Sequence, residues 1–164
     1  MIILGVDPGT RFSGYSILKR EKSSIYLITC DFLRLSSQKP LPERVFEFCE
    51  NFEHIINKYE VTDISLETPF LGKNAQNFLK LGYLRGILYF LAQKHKLKIL
   101  EFTPREVKLA ITGFGGASKD QVSGMVHKMF PRLPIFKRDD VTDAVAISLC
   151  AAWQIKNLAA SYEG

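Results

Sequence analysis

The chain has 164 residues, the size of about one domain, and a domain of that size buries roughly two-thirds of its unfolded surface. An apolar fraction of 46% and a mean hydropathy of +0.01 exclude a disordered polypeptide, and no apolar run nears the length of about 20 residues that a membrane span needs. The net charge of +5, with a pI near 9.1, points weakly to a polyanionic partner.

In chain order, Ile2–Val6 is a continuous apolar run, the pattern of a strand buried on both faces. Ser13–Leu18 and Ile25–Leu33 follow as strands with short turn-like links, a pattern that predicts an antiparallel meander. After the polar link Ser36–Pro42, Leu41, Val45, Phe48, Phe52, Ile55, Ile56 and Tyr59 recur at helical spacing. Asp63–Glu67 is a short strand, and Phe78, Leu81, Leu84, Leu88 and Leu91 stripe a second helix over residues 74–91. Leu97–Phe102 is the fifth strand. Thr103-Pro104-Arg105-Glu106 and Ser118-Lys119-Asp120-Gln121 both have the form of a helix start with a capping box. Gly113–Gly116 breaks the chain between them, and Pro131–Pro134 ends the second of these helices. A last helix starts near Arg138–Asp140 and runs through an alanine-rich stretch to about Leu158. The expectation is one α/β domain over residues 1–158, with a short tail over 159–164. Its five-stranded mixed sheet holds three antiparallel strands and then two parallel ones, with helices on both faces.

Cys30, Cys49 and Cys150 are odd in number and far apart, which fits reduced thiols in a cytosolic setting and supplies no zinc motif. No basic segment precedes the first apolar run, so a secretory leader is not expected. His54, His95 and His127 are isolated and read as surface residues.

The chemistry resides in the acids. Asp7 and Glu67 each close a buried strand, and two adjacent parallel strands would bring them together at one sheet end, where open α/β sheets place their sites. Asp139, Asp140 and Asp143 open the last helix, and Asp143 shares a face with either of the other two. Such acids also serve as helix caps, the simpler reading for Asp139. Asp143 precedes an apolar helix, so a cluster there needs compensation. A hard divalent cation supplies it, and four carboxylates can hold two cations about 4 Å apart, the arrangement used in phosphodiester hydrolysis.

The runs GVDPGTRFSGYSIL, LETPFLGKNAQNFLKLGYLRG, TPREVKLAITGFGGASKDQV and DDVTDAVAIS, in this order over almost the whole chain, resemble the RuvC-type Holliday junction resolvases. The resemblance implies a ribonuclease H-like fold and a homodimeric, metal-dependent endonuclease. It implies paired symmetric nicks in four-way DNA junctions that leave 5′-phosphate ends, during recombination and repair in the bacterial cytosol. The implied cofactor is magnesium, two ions per site, with manganese as a substitute, and the implied partner is the RuvA–RuvB branch-migration machinery. Carried over by position, the metal ligands are Asp7, Glu67, Asp140 and Asp143; the D-x-x-D-A spacing selects Asp140 over Asp139. Lys119, in G-[SG]-A-x-K context, becomes a cation at the scissile phosphate, with Lys108 nearby. Phe70 becomes a base-stacking aromatic, and Lys73, Asn74 and Arg11 become backbone contacts. Arg105 reads equally as a phosphate contact or a first-turn helix residue. Thr68 departs from the glutamine common in the family. Part of the second helix is the dimer surface in relatives.

Three other readings stay open on the residues alone. A D-x-G-T start also belongs to actin-like ATPases and sugar kinases, which normally need a second, related domain and a further Gly-rich phosphate segment. A binding-only module would recognise branched nucleic acid through charge and shape, against which the carboxylate set argues. The same fold also cuts RNA–DNA hybrids, which the acids alone do not exclude.

Overall fold

The structure is a computed structural model that describes residues 1–69 and 74–160, with side chains through Gln154. Five strands, β1 (Ile2–Asp7), β2 (Phe12–Glu21), β3 (Ser24–Arg34), β4 (Asp63–Glu67) and β5 (Lys98–Phe102), form one sheet in the order β3-β2-β1-β4-β5. The first three pair antiparallel, and β4 and β5 join β1 in parallel. This is the mixed sheet expected from the sequence. The helices are α1 (Leu41–Tyr59), α2 (Ala75–His95), α3 (Pro104–Thr112), α4 (Lys119–Met129) and α5 (Asp140–Ala160).

Side-chain alternation along the strands divides the core in two. Leu4, Val6, Ile64 and Leu66 face α1 and α2, packing with Phe48, Phe52, Leu84 and Leu88. Ile3 and Leu18 face the other way, toward Val145, Ile147 and the residues of α3 and α4. The period of two then decides where the acids go. Ile3, Gly5 and Asp7 share the α5 face of β1, and Ser65 and Glu67 share the α5 face of β4.

Two glycines let α5 approach that face. A Cβ on Gly5 would collide with the main-chain oxygen of Ala144, and one on Gly14 with that of Asp140. Two fully buried serines fix the helix there: Ser16 Oγ donates to the Ala144 carbonyl at 2.9 Å, and Ser65 Oγ to the Ile147 carbonyl at 2.7 Å.

Both capping boxes form as expected, at Thr103/Glu106 and Ser118/Gln121. The β2–β3 connection is tighter than the polar stretch Lys19–Ser24 suggests, because the strands run on to Glu21 and from Ser24, with Lys22 at φ 53°. A polar sequence pairs there because both strands are solvated at that end. The last helix also extends two residues beyond the expected boundary, to Ala160. No described helix is long and apolar enough to cross a membrane.

Candidate active site

The turn after β1 is closed by its own side chains. Gly9 N donates to Ser13 Oγ, and Ser13 Oγ donates back to the Gly9 carbonyl, each at 3.0 Å. DPGT is therefore a turn that returns the chain into β2 and leaves Asp7 at the strand end. The β1–β4 register runs to Val6↔Leu66, so Asp7 and Glu67 lie one step further, side by side at the carboxyl edge of two parallel strands. Asp140 and Asp143 come onto them from the first turn of α5. Asp139 stays outside the helix and is exposed; its carbonyl accepts from Asp143 N at 2.8 Å, the first main-chain bond of α5.

The electrostatics of this cluster follow from burial and like charge. The Asp7 carboxyl is pushed up to about 7, chiefly by burial and then by Asp143, Asp140 and Glu67. Burial also raises Glu67, with Asp143 adding to the shift while Lys119, Lys108 and Arg85 oppose it. Asp143 is raised by burial against the pull of Lys119. Lys119 Nζ lies 3.3 Å from Asp143 Oδ2, and that carboxylate holds its ammonium above the usual lysine range. Lys119 occupies the first position of α4, where the macrodipole disfavours a cation; its position is set by the acids. Asp140 Oδ2 accepts from Arg138 Nε at 2.7 Å, and the Arg138 guanidinium lies 3.8 Å from the centre of the Phe12 ring.

Among the described residues no three acidic, histidine or cysteine side chains converge closely enough to hold a metal ion in these rotamers. The Asp140 carboxylate is paired with Arg138 and that of Asp143 with Lys119. The donor set itself suits a hard divalent cation: four carboxylates, mutually coupled through charge, with the most buried one held near neutrality in pKa.

The other expected positions divide. Lys108 lies close enough to Glu67 to oppose the rise of its carboxyl pKa. Arg105 packs across Gly115. Arg11 and Asn74 meet in a polar basin lined also by Arg44, Asn77 and Lys80, although Asn74 spends its side-chain oxygen capping α2, accepting from Asn77 N at 3.0 Å. Phe70 and Lys73 lie outside the described residues. His95 is not isolated: its Nε2 is 2.6 Å from Glu53 Oε1, tying α2 to α1.

Sequence reasoning missed Arg85 and Arg138. Arg85 is buried on α2, and with Asp7, Glu67, Thr68, Phe78 and Tyr89 it lines a groove of about 320 Å³. The signal for it was an arginine set between Leu81, Leu84 and Leu88 on the apolar stripe. No comparable signal marked Arg138, whose partners Phe12 and Asp140 are distant in sequence or lost among consecutive charges.

Fold and site together define an α/β protein of the ribonuclease H-like class, with carboxylates gathered at the end of two parallel strands. RuvC of Thermus thermophilus, solved in complex with Holliday junction substrate, superposes with a TM-score of 0.88 at 23% identity, covering 95% of both chains. The yeast mitochondrial Holliday junction resolvase Ydc2 superposes at 0.66 with 16% identity, covering 94% of this chain and 79% of its own. In sequence, residues 3–151 match the family described as crossover junction endodeoxyribonuclease RuvC. The RuvC of Chlorobium phaeobacteroides is 42% identical over 160 residues, 98% of this chain and 86% of the relative. That of Legionella pneumophila is 35% identical over 149 residues, 91% and 85% of the two chains. The chain belongs to the RuvC family of crossover junction endodeoxyribonucleases.

Proposed function

We propose that this chain is a metal-dependent endonuclease that resolves four-way DNA junctions by paired symmetric nicks in recombination and repair. The observation that carries the reading is the strand-end cluster of Asp7, Glu67, Asp140 and Asp143, with Lys119 against Asp143, in a chain of this family. The four carboxylates would hold magnesium or manganese, two ions per site by family resemblance. When bound, such ions polarise the phosphoryl oxygens and make water nucleophilic near neutral pH.

The chain's own residues do the rest. Asp7 and Glu67, fixed by adjacent strands, and Asp140 and Asp143, fixed by the glycine-seated α5, set where the scissile phosphate is attacked. Lys119 Nζ supplies a cation beside that point, able to stabilise charge on the departing 3′-oxygen. The product is a 5′-phosphate and a 3′-hydroxyl. Lys108, beside Glu67, adds positive charge, while Arg11, Arg44 and Lys80 around their basin suit backbone phosphates. Phe70 and Lys73 belong to the same contact set by resemblance.

A homodimer supplies the second nick. Leu79, Tyr83 and Phe90 are 56%, 46% and 56% exposed on α2; they share a stripe with Gly82 and Gly86, whose Cα positions open onto free space. Such an apolar face with small residues suits an isologous helix contact. By the same resemblance the junctions come from RuvA–RuvB in the bacterial cytosol, and residues 1–158 act as one nuclease domain.

The test offers linear duplex, RNA–DNA hybrid and an immobile four-way junction side by side with magnesium. The expected result is symmetric nicking of the junction alone. Preferential cleavage of the hybrid would replace this reading with a ribonuclease H activity.

A further inference from the structure

Arg85 is buried, its side chain only 8% exposed, and its recorded bonds go to groups around Glu67 rather than to the carboxylates themselves. Its Nη1 donates to the main-chain oxygen of Glu67 at 2.6 Å, while Nη2 donates to Tyr89 Oη at 3.2 Å and pairs with Glu101 Oε1. Tyr89 Oη in turn donates to Glu101 Oε1 at 2.7 Å. The guanidinium thus joins three elements: α2 through its own backbone and Tyr89, β5 through Glu101, and the last residue of β4.

That last residue needs holding. The ladder between β4 and β1 is registered only to Val6↔Leu66, and beyond it the main chain leaves through Thr68 and Pro69. On the β5 side, Thr68 N donates to the Phe102 carbonyl at 2.8 Å. Arg85 supplies a charged donor to the Glu67 carbonyl itself, so the peptide that carries the carboxylate is pinned from both sides. A charge-assisted bond of this kind is short and strong in a desolvated setting. Lysine could keep the charge, but it cannot reach Glu67, Tyr89 and Glu101 at once with a planar fork.

We propose that Arg85 is a positioning residue: by anchoring the Glu67 peptide to α2, it holds the Glu67 carboxylate in the orientation that cation binding and cleavage require. The inference rests on the reading of Glu67 as a cation ligand.

Four variants test it on the full chain: R85M, R85K, E101Q and E67Q. The readouts are kcat and KM on a synthetic four-way junction, manganese affinity of the DNA-free protein by calorimetry, and thermal unfolding. R85M should lower kcat and weaken manganese binding by about 10- to 100-fold, the range seen when partners of metal ligands are removed. KM should stay within about 3-fold, because the junction itself is held elsewhere. R85K should fall between R85M and the parent chain. E101Q strands a buried guanidinium and should lose as much thermal stability as R85M, yet keep kcat within about 3-fold, since the Arg85–Glu67 bond survives.

Unchanged kcat and manganese affinity in R85M overturn the proposal, as does an E101Q variant that loses kcat as fully as R85M, which would mark the network as a generic stabiliser. If R85M does not fold, R85K decides: kcat down by at least about 3-fold at constant KM supports the role, and parental kcat removes it. E67Q separates the two levels. An inactive E67Q with an active R85M sinks the positioning role alone, whereas an active E67Q sinks the assignment of Glu67 as a ligand.

Discussion

Asp7→Asn should abolish cleavage and, in chelator at pH 8, make the protein more stable. The Asp7 carboxyl is raised from 3.8 to about 7, by burial first and then by Asp143, Asp140 and Glu67. An acid whose pKa is higher in the folded state binds its proton more tightly there. The resulting penalty is absent below about pH 4, grows as the pH climbs, and is complete above about pH 7. That rise in pKa corresponds to about 4 kcal/mol. An amide in the same place carries its own burial cost of about 1–3 kcal/mol, which leaves a net gain of about 2 kcal/mol, or about 4–8 °C in Tm for a chain of this length. Thermal unfolding of both proteins in chelator, at about pH 4 and about pH 8, measures it: the gain should appear at the higher pH and turn into a loss of about 1–3 kcal/mol at the lower, where only the amide's burial cost remains. Magnesium should then raise the Tm of the parent chain and leave Asp7→Asn nearly unmoved, while gel shifts show equal junction binding. A less stable Asp7→Asn protein at pH 8, or the same gain at both pH values, refutes the electrostatic account. Cleavage by a clean preparation refutes the role of Asp7 in the reaction.

Lys119→Met removes the cation beside Asp143 and should lower single-turnover cleavage by about 100-fold while leaving junction affinity within a few fold, as gel shifts would report. Gly14→Ala drives a methyl group into the Asp140 main chain; overpacking there should cost about 3 kcal/mol, seen as a drop in Tm of about 6–12 °C. Tyr83→Glu puts charge on the exposed α2 face and should convert a dimer to a monomer in light scattering, with one nick per junction in place of two. A monomeric parent chain would remove the dimer proposal.

How much of this was legible in the sequence depends on the range of the interaction. Local signals carried through: the β1 turn, both capping boxes, and the strand ends at Asp7 and Glu67 stand where residue patterns put them. The choice between Asp139 and Asp140 was not local. Spacing on a helix allowed both, and only resemblance selected Asp140; the structure then leaves Asp139 exposed outside α5. The contacts of Arg138 with Phe12, of Lys119 with Asp143 and of Arg85 with Glu67 join elements far apart in the chain, so no periodicity foretells them. Asn74 shows a local role that the sequence reading did not name. Its side-chain oxygen caps α2 by accepting from Asn77 N, a role that asparagine at a helix start takes up readily, while a phosphate contact would call on its amide NH2, a different end of the same group.

Gly5 and Gly14 show how the fold and the site constrain each other. Any side chain at either position would lift α5 off the sheet, and with it Asp140 and Asp143. The close approach that these glycines permit is the same approach that crowds the carboxylates and raises Asp7. The fold therefore holds a destabilising cluster in place by packing, through the buried Ser16 and Ser65 bonds to α5 and the apolar contacts beneath them. A ligand present at about 100 times its Kd stabilises a native state by about 2.7 kcal/mol, the same order as the roughly 4 kcal/mol set against Asp7. Under the proposed function, cation binding and stability are linked at one residue: the charge that is costly at Asp7 is the charge that a bound cation would compensate.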